Sequence, residues 1–158
     1  MRFLLFLFCL QLLPVLSQEP SSDEQELYEL IMDYRASKGL PNIALSPSLT
    51  KVAQLHSKDL SENRPDQGKC NGHSWSNEGD WTPCCYTSDH KKASCMWDKP
   101  KELTSYQFPG YEISCVGSEP LSPSKALETW KKSKHHNAVI VNKDIWDAPW
   151  KAIGVGMF

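Results

Sequence analysis

Helices at the front of the chain, short strands at the back and a crossover helix between them predict an α+β or layered α-β-α domain. Three observations carry this. Apolar residues recur at helical spacing in two early segments, each opened by a capping serine. β-Branched and aromatic residues cluster at Tyr111–Val116, Ala138–Val141 and Lys151–Phe158, which read as strands. Ser122-Pro123 then opens a third helix ahead of the last two strands. A length of 158 residues suits one domain.

Residues 1–17 stand apart from that domain. Arg2 precedes an apolar run, Phe3 to Leu13, too short to span a bilayer, and Val15 and Ser17 are small residues at signal-peptidase spacing. This reads as a secretory signal peptide, so the mature protein is expected to be exported, with no transmembrane segment. Residues 18–22 form a short polar leader. The chain carries 17 Lys+Arg against 19 Asp+Glu, a formal net charge of −2, and losing Arg2 makes it one unit more negative. A mildly acidic chain argues against nucleic acid as a partner.

The first helix is predicted from Asp23 to Lys38. Ser22 is the N-cap with Gln25 three residues on, and Leu27, Leu30, Ile31 and Tyr34 form one face; Gly39 and Pro41 stop it. Ser46-Pro47 opens the second, with Leu49, Val52, Ala53, His56 and Leu60 on one face, and Asn63-Arg64-Pro65 ends it. His56 therefore reads as a hydrogen-bonded core histidine. The third helix buries Ala126, Leu127 and Trp130, and its C-terminal lysines suit the helix dipole. In the last strand, Gly154 and Gly156 mark close backbone approach rather than a phosphate loop, because no helix follows them.

From Asp66 to Pro109 the chain turns irregular, with the part from about 76 to 109 an insertion rich in Cys and Trp. Trp75, Trp81, Trp97 and Tyr86 are expected to cover a core there rather than to stack carbohydrate. His90 sits in a solvated turn. Cys9 leaves with the leader; Cys70, Cys84, Cys85, Cys95 and Cys115 remain. Export favours disulfides, an odd count leaves one thiol over, and the pairing stays open, although neighbours Cys84 and Cys85 do not suit each other. The absence of any C-x-x-C pair argues against structural zinc on cysteine. On Tyr111–Val116, Ile113 and Cys115 share one face, Glu112 and Ser114 the other. That alternation separates Cys115 from Glu112 and disfavours a thiol enzyme.

Three chemically competent residues come from distant segments: His73 in Gly72-His73-Ser74-Trp75, Glu112 in Gly110-Tyr111-Glu112-Ile113, and His136 after Trp130. Read in order, LYELIMDYRASKGL, LSPSLTKVAQLHSKDL, GHSW, GYEIS, ALETWKKSKHHNAVIV and AIGVGMF resemble the CAP superfamily, which comprises cysteine-rich secretory proteins, antigen 5 and pathogenesis-related 1 proteins. The likeness is greatest to compact SCP-like extracellular domains and spans residues 23–158 apart from the insertion. It implies a three-layer α-β-α sandwich with a central antiparallel sheet. It also implies a cleft of two histidines and two acids that binds a divalent metal, typically zinc. By motif, His73 and His136 match the metal histidines and Glu112 matches the glutamate of G-E-N, the residue a catalytic role would fall on. The chain departs from the pattern in reading Tyr-Glu-Ile there, in Ser133 standing at the second acid and in His135 standing at a usual glycine. A further strand usually follows IGVG in the family, so the sheet edge near Phe158 is expected to differ.

Three functions then compete. One is a non-enzymatic, monomeric, extracellular binding or defence module with a protein, sterol or lipid partner. Another is a metal-dependent, protease-like hydrolase using His73, His136 and Glu112. The last is a scaffold whose histidines are merely packed. The incomplete acid set and the lack of a nucleophile–base pair favour the first.

Overall fold

The computed structural model describes residues 19–158. The signal peptide expected at residues 1–17 lies outside them. Helix α1 runs Ser22–Ala36 and is closed by a capping box one residue earlier than the sequence placed it. Ser21 Oγ accepts from Glu24 N–H at 3.2 Å, and the Glu24 carboxylate accepts from Ser21 N–H at 2.8 Å. Gly39, at φ +73°, takes the left-handed turn that ends this segment. Strand β1 is Ala44–Leu45, and α2 runs Pro47–Glu62 with Ser46 as its cap.

Two short helices, α3 (Ser94–Trp97) and α4 (Lys99–Leu103), interrupt the irregular region. Disulfides Cys70–Cys85 and Cys84–Cys95 staple it, leaving Cys115 as a half-buried free thiol. Trp75, Tyr86 and Cys95 are buried together as a satellite core, with Trp81 packed against them. Trp97 departs from the expectation and is exposed.

Helix α5 (Pro123–Lys132) packs its buried Ala126, Leu127 and Trp130 against Leu27 and Ile31 of α1. Here the sequence reading needs correcting. Residues Ala138–Val141 are not a strand but belong to the end of helix α6, Lys134–Ile140. Ser133 ends α5 and caps α6, its Oγ accepting from His136 N–H at 3.5 Å, so the turn restarts at once. Ala138, Ile140 and Val141 still reach the core, and a four-residue apolar run does not distinguish helix from strand.

Strand β2, Ala152–Ile153, follows a 3₁₀ turn at Asp144–Trp146 and pairs with β1 in parallel, Ala44 opposite Ala152 and Leu45 opposite Ile153. Among the described residues this two-stranded parallel sheet and one antiparallel bridge, Trp75 to Cys84, are the whole of the strand pairing. The fold is α+β, and among the described residues the strand pairing does not extend to the central antiparallel sheet of a three-layer sandwich. Tyr111–Val116 is correspondingly without a ladder partner. Beyond β2, Gly154 and Gly156 press on α2 as expected: a Cβ on Gly154 would collide with the Leu49 carbonyl carbon, and one on Gly156 with that of Ala53.

Two buried charged side chains join these pieces. The Arg35 guanidinium donates to Pro41 O, Ile140 O and Asn142 Oδ1, fastening α1 to the end of α6. The Glu24 carboxylate accepts from Gln54 Nε2 and Met157 N–H, fastening α1 to α2 and to the C-terminal segment. Each satisfies a buried charge by hydrogen bonding, which burial requires.

Candidate functional site

Helix α2 sends His56 off its inner face, and the ring stacks on Trp75 at 4.3 Å between centroids. The same loop that supplies Trp75 supplies His73 and the Ser74 carbonyl. Opposite them, the extended Tyr111–Gly117 segment turns Glu112 away from the core while Ile113 and Cys115 pack into it. The alternation read from the sequence holds, although no ladder enforces it. Ser114, on the Glu112 face, fixes the segment by donating to Gly72 O at 2.9 Å.

Glu112 is the centre of the arrangement. Its Oε1 lies 2.5 Å from His56 Nδ1 and its Oε2 lies 2.7 Å from His73 Nδ1. The other nitrogen of His56, Nε2, lies 2.9 Å from Ser74 O. Both partners of His56 are oxygens without a proton to give, so both of its ring nitrogens must donate. The structure therefore holds His56 as an imidazolium, its side chain only 2% exposed.

The proton equilibria agree with this. Burial pulls the His56 pKa down, but the Glu112 carboxylate, with the Ser74 carbonyl and Asp59, outweighs burial and leaves it raised. Burial pushes Glu112 up, and the two imidazoles outweigh that, holding its pKa down at about 2. His73 donates to Glu112 through Nδ1. Burial, followed by the nearby His73 and His135, lowers the pKa of His136 and favours its neutral form. His136 is half-buried, and its Nδ1 is enclosed without a hydrogen-bond partner.

Of the sequence-predicted residues, His73 and Glu112 meet directly. His136 does not join Glu112 by a hydrogen bond. It sits in the first turn of α6 rather than at a helix-to-strand junction, and the charge of His73 reaches it. Among the described residues, no group of three or more His, Cys, Asp or Glu side chains is arranged to hold a metal ion. His90 is tied to Tyr86 Oη at 3.1 Å. The residue the sequence underrated is His56. Its apolar-stripe position correctly announced a buried, hydrogen-bonded histidine, but nothing in the spacing announced which carboxylate it would meet.

What the geometry can do follows from the donor set. Both Glu112 oxygens are committed to imidazoles, so the carboxylate orients the two rings. His73 and His136 are the side chains that would hold a divalent cation, and the enclosed, unpartnered Nδ1 of His136 is the observation that bears on that fit. No helix among the described residues is long and apolar enough to cross a membrane. The family model for the cysteine-rich secretory protein family, CAP, matches residues 28–147. No curated protein and no solved structure matches the chain. With that match covering most of its length, and with the histidine–glutamate cleft in place beside a disulfide-stapled loop, the chain belongs to the cysteine-rich secretory protein family.

Proposed function

We propose that this chain is a secreted, non-enzymatic binding module whose cleft captures a divalent cation such as zinc on His73 and His136, with Glu112 as the orienting carboxylate. The observation that carries this is the saturation of Glu112 by two imidazoles. A hydrolase would need Glu112 as a general base on bound water. A carboxylate with both oxygens engaged and a pKa near 2 is a poor base at neutral pH. A bound cation would supply a positive charge at the cleft floor for an anionic or carbonyl group of a partner. Residues 1–17 are proposed as the cleaved signal peptide, and the partners as extracellular proteins, sterols or lipids.

Two protein ligands leave half of a tetrahedral shell to water or to the partner, so affinity is expected to be modest. Zinc titration of the oxidised mature protein by calorimetry tests this, beside His73→Ala, His136→Ala and the exposed neighbour His135→Ala. The proposal expects binding that the first two variants lose and the third keeps. Absence of binding in a folded parent would overturn it.

A further inference from the structure

Charge is spread unevenly over this chain. The whole sequence carries a formal net charge of −2, yet the stretch from Ser122 to Lys143 holds five lysines and two histidines against a single acid, Glu128. Lys132, Lys134 and His135 are exposed where α5 ends and α6 begins. Lys131 lies beside them with its Nζ 5.0 Å from the centroid of the Tyr34 ring. Lys38, just past the end of α1, brings its own Nζ to 5.2 Å from the same centroid, so cations from two separate elements converge on one ring. Lys131 also pairs with Glu128 at 2.5 Å, which occupies the one carboxylate of the stretch.

The helix dipole explains part of this cluster and not the rest. Lys131 and Lys132 occupy the last turn of α5, where the dipole favours cations. Lys134 stands in the first turn of α6, where the dipole disfavours them, and no acid stands in that turn to offset it. Like charges gathered on one face also repel each other, which costs the folded state stability. An anionic partner reverses the sign of both effects. We propose that Lys38, Lys131, Lys132, Lys134 and His135 form a binding surface for a sulfated polysaccharide.

The chemistry of the surface selects among polyanions. Its fixed charges are all lysines, point charges that suit single sulfate groups, and it carries no arginine fork of the kind that clasps phosphate through two bonds. None of the exposed large apolar side chains lies between Ser122 and Lys143, so this face has nothing to insert among lipid chains. The acidity of the chain as a whole opposes a nucleic-acid duplex. The two disulfides suit an oxidising, extracellular setting, where polyanions are carried on sulfated polysaccharides.

The test uses the mature, oxidised protein and a heparin-derived oligosaccharide, with binding followed by calorimetry. The proposal expects saturable binding that weakens roughly tenfold between 50 and 200 mM salt, as cations condensed on the polyanion are released. The double variant Lys132→Ala with Lys134→Ala should lose about tenfold in affinity. Lys92→Ala with Lys101→Ala removes as much charge from exposed positions elsewhere and should bind as the parent does. A chelator should leave binding unchanged, which separates this surface from cation capture by His73 and His136. Lack of saturable binding, or equal affinity for the desulfated oligosaccharide, would overturn the proposal. Equal losses in the two double variants would overturn it by showing an effect of net charge alone. Tighter binding to phosphatidylserine vesicles than to the oligosaccharide would overturn it by showing a membrane surface as the partner.

Discussion

At the scale of single residues, the buried ion pair between His56 and Glu112 controls the cleft. Removing one member leaves the other charge enclosed, the costly way to break such a pair. Glu112→Gln is expected to destabilise the protein by about 2–3 kcal/mol, with His56 then reverting to a neutral ring. The pH dependence follows from the two shifts. Glu112 is lowered from 4.5 to about 2, so its contribution is present above about pH 4.5 and fades as pH falls through that range. His56 is raised above 6.5, so its contribution is complete below 6.5 and fades as pH rises through its folded value. The difference in melting temperature between parent and Glu112→Gln should therefore peak between about pH 4.5 and 6.5. A profile flat from pH 3 to 9 would contradict this reading. The motifs GHSW and GYEIS made His73 and Glu112 legible, and the two meet; His136, singled out in the same way, makes no hydrogen bond with Glu112 among the described residues. His56 was legible only as a core histidine, since its partner lies 56 residues away and no local pattern says which helix that segment packs against.

At the scale of elements, caps decided where the chain turns. The capping serines at Ser46 and Ser122 stand where the sequence put them, and each is followed by proline. Ser21 closes α1 through a reciprocal pair of bonds, and Glu24 of that pair also holds Gln54 and Met157. Ser21→Ala should cost about 1 kcal/mol in chemical unfolding. A loss below about 0.3 kcal/mol would mean that Glu24 is fixed by its distant partners alone. The strands were the weak point of the sequence reading for a physical reason. Strand identity depends on a partner, and Tyr111–Val116 finds none among the described residues; Ala138–Val141 instead inherits a helix from the Ser133 cap. The close approach predicted at Gly154 and Gly156 was legible because only glycine lets two backbones come so near.

At the scale of the whole molecule, two unlike cores share the load. The main one joins α1, α5, α6 and the C-terminal segment, and the satellite lies under the stapled loop. The loops closed by Cys70–Cys85 and Cys84–Cys95, with sequence separations of 15 and 11, each stabilise the fold by roughly 3 kcal/mol on the chain-entropy account. Because His73 and Trp75 lie in the stapled region, reduction should loosen the cleft before the main core. Tryptophan fluorescence should change under mild reductant while far-ultraviolet circular dichroism stays near native. Simultaneous loss of both signals would show one cooperative unit instead. The cysteine count made a stapled insertion legible, but the pairing needed coordinates because adjacent Cys84 and Cys85 take different partners.

The most direct measurement is of the imidazole protons themselves. Two-bond nitrogen–proton correlation NMR on uniformly ¹⁵N-labelled protein at pH 7 resolves each histidine's charge and tautomer. The account predicts His56 doubly protonated, His73 carrying a proton on Nδ1, and His136 neutral. A neutral His56, or a His73 protonated at Nε2 alone, would contradict Glu112 as the carboxylate that orients this cleft.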